Sequence, residues 1–156
     1  MNRIQQAPRA FVAALYVAVA YLVVSPFLYE SQRLLPADPT DFDWRFGAEG
    51  FILTAVTTPL IGLALGTFLA YLRGDTRGQR VLAWTCLALV VVLVVIWVGF
   101  LVDLQSMVRS VPAEAIGIVK ATAFRSAVGA ATAIIALLGL SIGGFRAAAQ
   151  VAGSKQ

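Results

Sequence analysis

The side chains that could do chemistry are few, and the densest group of them is Asp38, Asp41 and Asp43. Clustered carboxylates suggest calcium. The spacing, however, has neither the central glycine nor the closing bidentate Glu of an EF-hand loop, so no metal site is assigned. A second group is hydroxylic: Thr54, Thr57 and Thr58 surround Pro59, with Thr85, Ser126 and Thr132 further along. Hydroxyls beside a helix-breaking proline can hold a polar solute inside a membrane, as broken helices do in transporters. A simple kink gives the same pattern and is the preferred reading, because membranes tolerate Pro well.

There is no histidine. This argues against bis-imidazole haem ligation, Ser-His-Asp catalysis and most transition-metal sites. Cys86 is the single cysteine and lies in an apolar run, so it reads as a small packing residue with no partner for a redox pair. No Gly-rich phosphate loop follows a strand. The expectation is a non-enzyme with no catalytic, cofactor-binding or metal-binding residues and no cofactor. Although the net charge is +4, the basic residues are scattered and no nucleic-acid surface is expected.

The elements that carry these residues are written in the composition. Charged residues make up 13% of the 156 and hydrophobic ones 60%, with a mean hydropathy of +0.84. A soluble domain carries about twice that charge, so the solvent implied is lipid. Four uncharged stretches, 10–29, 50–72, 81–102 and 126–145, are each long enough to cross a hydrocarbon core about 30 Å thick. Their backbone amides need partners within the segment, which makes them helices. The predicted fold is an all-α integral membrane protein, a four-transmembrane-helix bundle forming a single membrane domain. Arg3 and Arg9 followed by Ala18-Val19-Ala20 resemble a cleavable leader. The apolar run continues through Tyr21-Leu22-Val23-Val24, so 10–29 is read as a span.

Orientation follows the basic residues. The short loop 73–80 holds Arg73, Arg77 and Arg80, and with Arg3, Arg9, Arg146 and Lys155 it defines the inner side. The outer loops, 30–49 and 103–125, hold Arg33, Arg45, Arg109, Lys120 and Arg125. This bias, seven against five, places both termini in the cytoplasm. Arg supplies most of the basic residues and Ala and Val abound, a composition that hints at a GC-rich bacterial genome, and the location expected is the bacterial inner membrane. The aromatics agree, with Phe11, Tyr71, Trp84 and Phe145 near the inner interface and Tyr29, Trp97, Phe100 and Phe124 near the outer one. Tyr16 and Tyr21 lie deeper and are expected to face protein, where their hydroxyls find acceptors.

Small residues at four-residue spacing mark contact faces: Ala10, Ala14 and Ala18; Gly62, Gly66 and Ala70; Gly129 and Ala133; Gly139 and Gly143. Packing within the bundle is preferred over a homodimer face. Gly62 and Gly66 are expected to meet Gly139 and Gly143, bringing the second and fourth spans together. The third span, bulky from Val90 to Ile96, is expected at the periphery or against a partner. In the first outer loop, 41–46 reads as a segment lying on the membrane interface or docked on another subunit through Trp44 and Phe46. In the second, Ile116, Val119, Ala123 and Phe124 share one face, which suits either an amphipathic surface helix or a continuation into the fourth span.

Two functions fit. The preferred one is a non-catalytic accessory, assembly or stabilising subunit of a larger membrane complex, with the bilayer and other membrane subunits, or a second copy, as partners. The alternative is a small oligomeric transporter or channel for an uncharged or weakly polar solute. It would need Thr54, Thr57, Thr58, Thr85, Ser126 and Thr132 to line a path, since no charge lies inside the four stretches.

Overall fold

The computed structural model describes residues 9–31, 35, 37–38 and 40–153. Arg3, Arg33 and Lys155, used above for orientation, lie outside them, as do the side chains of Arg9, Glu30, Phe42 and Asp43. The described chain is helical: α1 (Arg9–Ser31), α2 (Phe42–Ala55), α3 (Thr57–Arg73), α4 (Thr76–Ser110) and α5 (Ile116–Gly153). Four segments are long and apolar enough to cross a membrane, with α2 and α3 sharing the second, Trp44–Arg73. Large apolar side chains stand open on every span, among them Val17, Phe68, Val95 and Ile135 at 68%, 60%, 67% and 71% exposure. Water would not tolerate such a surface; lipid requires it.

The second span breaks at Val56, just ahead of Pro59. Pro59 has no amide hydrogen to give the carbonyl of Ala55, so the ladder fails there and resumes with Leu60 donating to the Val56 carbonyl at 3.0 Å. The helix also starts earlier than the apolar run. Residues 42–49, read above as loop, form the first turns of α2, and Phe46 stacks on Phe100 of α4 at 4.9 Å. Phe46 therefore packs, half-buried, against the core of the bundle. In the second outer segment the continuing-helix reading holds. α4 runs on to Ser110, α5 begins at Ile116, and five residues join them.

The turn between α3 and α4 is well determined by its residues. Gly74 takes φ +65°, the left-handed conformation that closes a helix, while Asp75 donates its amide to the Ala70 carbonyl. The Asp75 carboxylate then caps α4, accepting from the Gly78 amide at 2.9 Å, and accepts the Tyr16 hydroxyl of α1 at 3.3 Å. Tyr16 thus faces protein as expected. Tyr21 does not: it is 60% exposed on the outer surface of α1.

Packing differs from the sequence-based expectation in two ways. The third span is the centre of the bundle, not its edge: α4 packs on α2, α3 and α5. Its residues Gln79, Ala83, Cys86, Val90, Leu93 and Phe100 recur every three, four or seven positions and form one buried stripe, leaving Val91, Val92, Val95 and Val98 to the lipid. The β-branched run hid a face because residues on both sides of the helix are apolar. The peripheral span is α1, which rests chiefly on α3.

The glycines also pair differently. Cβ atoms at Gly62 would lie 2.9 Å from Leu22 and 3.2 Å from Val23, and at Gly66 2.9 Å from Val19, so these two glycines admit α1. The α4–α5 crossing uses Gly144, whose Cβ would sit 3.1 Å from that of Ala83. Trp84 and Phe145 close the same crossing edge to face at 5.4 Å. Gly139 and Gly143 meet nothing within 4 Å. Ala10, Ala14 and Ala18 are exposed too, because α1 turns Val12, Val19 and Ser25 inward instead.

Candidate functional site

The hydroxyl group does not assemble into a path. Thr54 donates to the carbonyls of Gly50 and Phe51, Thr67 to Leu63, Thr85 to Val81 and Thr132 to Val128, each within its own helix. Thr54, Thr57 and Thr132 are exposed on the bundle's outside, Thr58 is half-buried and Ser126 is buried. Thr54 and Ser126 border one cavity of about 330 Å³, together with Thr122, Phe46 and Phe100, whereas Thr57, Thr58, Thr85 and Thr132 do not line it, so no single path joins the group.

The aspartates of the first outer segment serve local geometry. Asp38 Oδ1 accepts the Thr40 hydroxyl at 2.6 Å and the amides of Thr40 and Asp41 at 3.1 and 3.2 Å. These bonds, led by the Thr40 hydroxyl, hold its carboxyl below the ordinary aspartate pKa.

A polar cluster that the sequence did not reveal sits where α2 faces α4. Arg45 Nε and Nη2 donate to the two Asp103 carboxylate oxygens at 2.5 and 3.1 Å, a side-on pair of the kind Arg geometry favours. One turn along α2, Glu49 presses against Gly99, whose missing side chain makes the room: a Cβ there would lie 2.7 Å from Glu49 Oε1. Glu49 Oε2 and Trp97 Nε1 of α4 are buried without a hydrogen-bond partner among the described residues. The four-residue spacing of Arg45 and Glu49 was the available signal, since it sets both on one face of a helix. Because they precede the apolar run, hydropathy alone sets them in a loop.

At the other end of the bundle a groove of about 310 Å³ opens between α3 and α5. Phe68 and Tyr71 form one wall, Leu140, Gly143 and Ala147 the other, and Gln79 of α4 lies between them. Gln79 is wholly buried, and neither its Oε1 nor its Nε2 has a hydrogen-bond partner among the described residues. Its place on the stripe with Ala83, Cys86 and Val90 could have been read from spacing. The surrounding arginines masked it as part of a polar turn.

The last feature is the open face of α5. Gly129, Thr132, Ala136, Gly139 and Gly143 follow each other at three- and four-residue steps down one side of the helix. Gly129, Gly139 and Gly143 have nothing within 4 Å of a built Cβ, and Val128, Ile135 and Ile142 stand exposed beside them. Such a surface has bare backbone flanked by bulky knobs, the form that lets a second helix approach closely in lipid.

The chain matches no family model, and comparison with curated proteins and with solved structures returns no match.

Proposed function

We propose that this protein is a non-catalytic accessory or stabilising subunit of a larger membrane complex, held in a bacterial inner membrane with both termini cytoplasmic. The observation that carries the reading is the open glycine face of α5, which none of the described residues fills. Helix association in lipid draws on close van der Waals approach, and a face of this kind is left without that approach until another helix covers it. The scattered, self-bonded threonines weigh against transport by a single copy.

The test is Gly139→Leu. With nothing near the added side chain, the bundle keeps its thermal midpoint in detergent, while a partner that co-purifies with the wild-type protein in mild detergent is lost. Specific solute flux through liposomes holding the purified protein alone would support the transporter reading instead. For orientation, a Cys86→Ala background carrying Glu114→Cys is labelled by a membrane-impermeant thiol reagent in intact cells, and one carrying Arg77→Cys is not. The reverse pattern would invert the topology.

A further inference from the structure

Ser126 carries a hydroxyl that the fold does not use. The residue is 6% exposed, and its side chain makes no hydrogen bond among the described residues. Thr122, one turn earlier on α5, makes none either. Thr54, Thr67, Thr85 and Thr132 behave otherwise, each donating to a carbonyl of its own helix. A nearly buried hydroxyl left unpaired in an apolar setting is costly. Ser126 and Thr122 both line the cavity of about 330 Å³ bordered by α2, α4 and α5, so their partner comes from what fills it.

The walls narrow the occupant's chemistry. Phe46 and Phe51 of α2 and Phe100 of α4 border the cavity. Phe46 and Phe100 already stack with 19° between their planes, an arrangement that a further flat ring extends. Among the described residues no charged side chain lines the cavity, and Arg125 borders the neighbouring groove instead. A phosphate headgroup therefore finds no cation here, and an acyl chain alone leaves both hydroxyls unpaired. Gly50 and Ser126 open the second and fourth uncharged stretches, so the cavity sits just inside the hydrocarbon, within reach of a ligand that diffuses in lipid. Ala123 and Ser126 are on the buried side of α5, which keeps the cavity apart from the open glycine face.

We propose that this cavity binds the headgroup of a membrane quinone. The conjugated ring lies against Phe46, Phe51 and Phe100, the Ser126 and Thr122 hydroxyls donate to its carbonyl oxygens, and the isoprenoid tail runs out into lipid. The volume is that of a small-molecule site, about 300 Å³ or more. Quinone binding rests on the membrane reading but not on the accessory role, and the two fail separately.

The experiment is photolabelling of the full chain in phosphatidylcholine nanodiscs with an azido-ubiquinone, the adducts mapped by peptide mass spectrometry. Adducts fall within 46–54 and 122–126 and are competed by decylubiquinone. Ser126→Ala weakens half-saturation about tenfold, the size of one lost hydrogen-bonded contact, with the thermal midpoint of the parent. Thr122→Val, at an exposed position, weakens labelling in the same direction. Thr132→Val leaves it unchanged, because that hydroxyl is spent on the Val128 carbonyl. Adducts confined to other segments, or labelling indifferent to both Ser126→Ala and Thr122→Val, would overturn the proposal. So would equal competition by decane or by phosphatidylglycerol, the result expected if the cavity takes only a lipid chain. A partner still captured by Ser126→Ala, together with weakened labelling, keeps the two roles apart.

Discussion

Gly62→Leu detaches α1 from the bundle. The first added carbon would stand 2.9 Å from the Leu22 Cβ and 3.3 Å from the Val19 carbonyl oxygen. Neither atom can swing aside, because one is fixed to the α1 backbone and the other is part of it. Relief requires moving the whole helix, and α1 has little besides α3 to hold it. Overpacking against a rigid neighbour costs about 3 kcal/mol, and here it acts on the least secured span. A thiol placed by Val19→Cys in a Cys86→Ala background reports the outcome. Position 19 is 9% exposed in the packed bundle, so the thiol is protected from an apolar maleimide in the parent and reacts promptly in Gly62→Leu. Protection retained in the variant would mean that α1 does not cross α3 at these glycines.

Asp103→Leu is expected to have the second-largest effect. Asp103 accepts from two guanidinium nitrogens of Arg45, tying the start of α2 to the far end of α4. Removing it leaves Arg45 partly exposed with Glu49 one turn along, and α2 loses its polar anchor while Phe46 still stacks on Phe100. Arg45 keeps 41% of its side chain exposed and Asp103 13%, so the variant loses a partly solvated side-on pair and, with it, the polar tie between the two helices. The unfolding midpoint in an SDS titration falls, and the reversed pair, Arg45→Asp with Asp103→Arg, recovers much of the loss. Equal midpoints for the single variant and the parent would remove the ion pair from the account.

The spans were legible because lipid writes a simple rule: about twenty uncharged residues between charges. The Pro59 interruption was legible for a local reason, a missing amide. Which helix lies at the centre was not. Val90–Ile96 looks alike on both sides, and the buried stripe of α4 emerges only when Ala83 is seen to meet Gly144 of α5 and Cys86 and Leu93 to share one buried core with Ala133 and Leu137. The glycine partners were misjudged for a related reason. A small residue says that something approaches closely, without saying which helix does so, and Val19 and Leu22 of α1 took the place expected for Gly139 and Gly143. Arg45 and Glu49 were placed in a loop because helix continuation past an apolar run leaves little trace in hydropathy. Gln79 was passed over because polar residues near a turn are ordinarily solvated, and only its complete burial sets it apart.

The central claim is that the open side of α5 is covered by another membrane protein. Site-specific photo-crosslinking in intact membranes tests it most directly. A photoreactive phenylalanine analogue is placed at Ile135 or Ile142 beside the exposed glycines, and at Val92 or Val95 on the exposed face of α4 for comparison. The account predicts a discrete adduct with a different membrane protein from both α5 positions, and none from the α4 positions. No protein adduct from α5, an adduct made only of two copies of this chain, or equal adducts from both helices would contradict it.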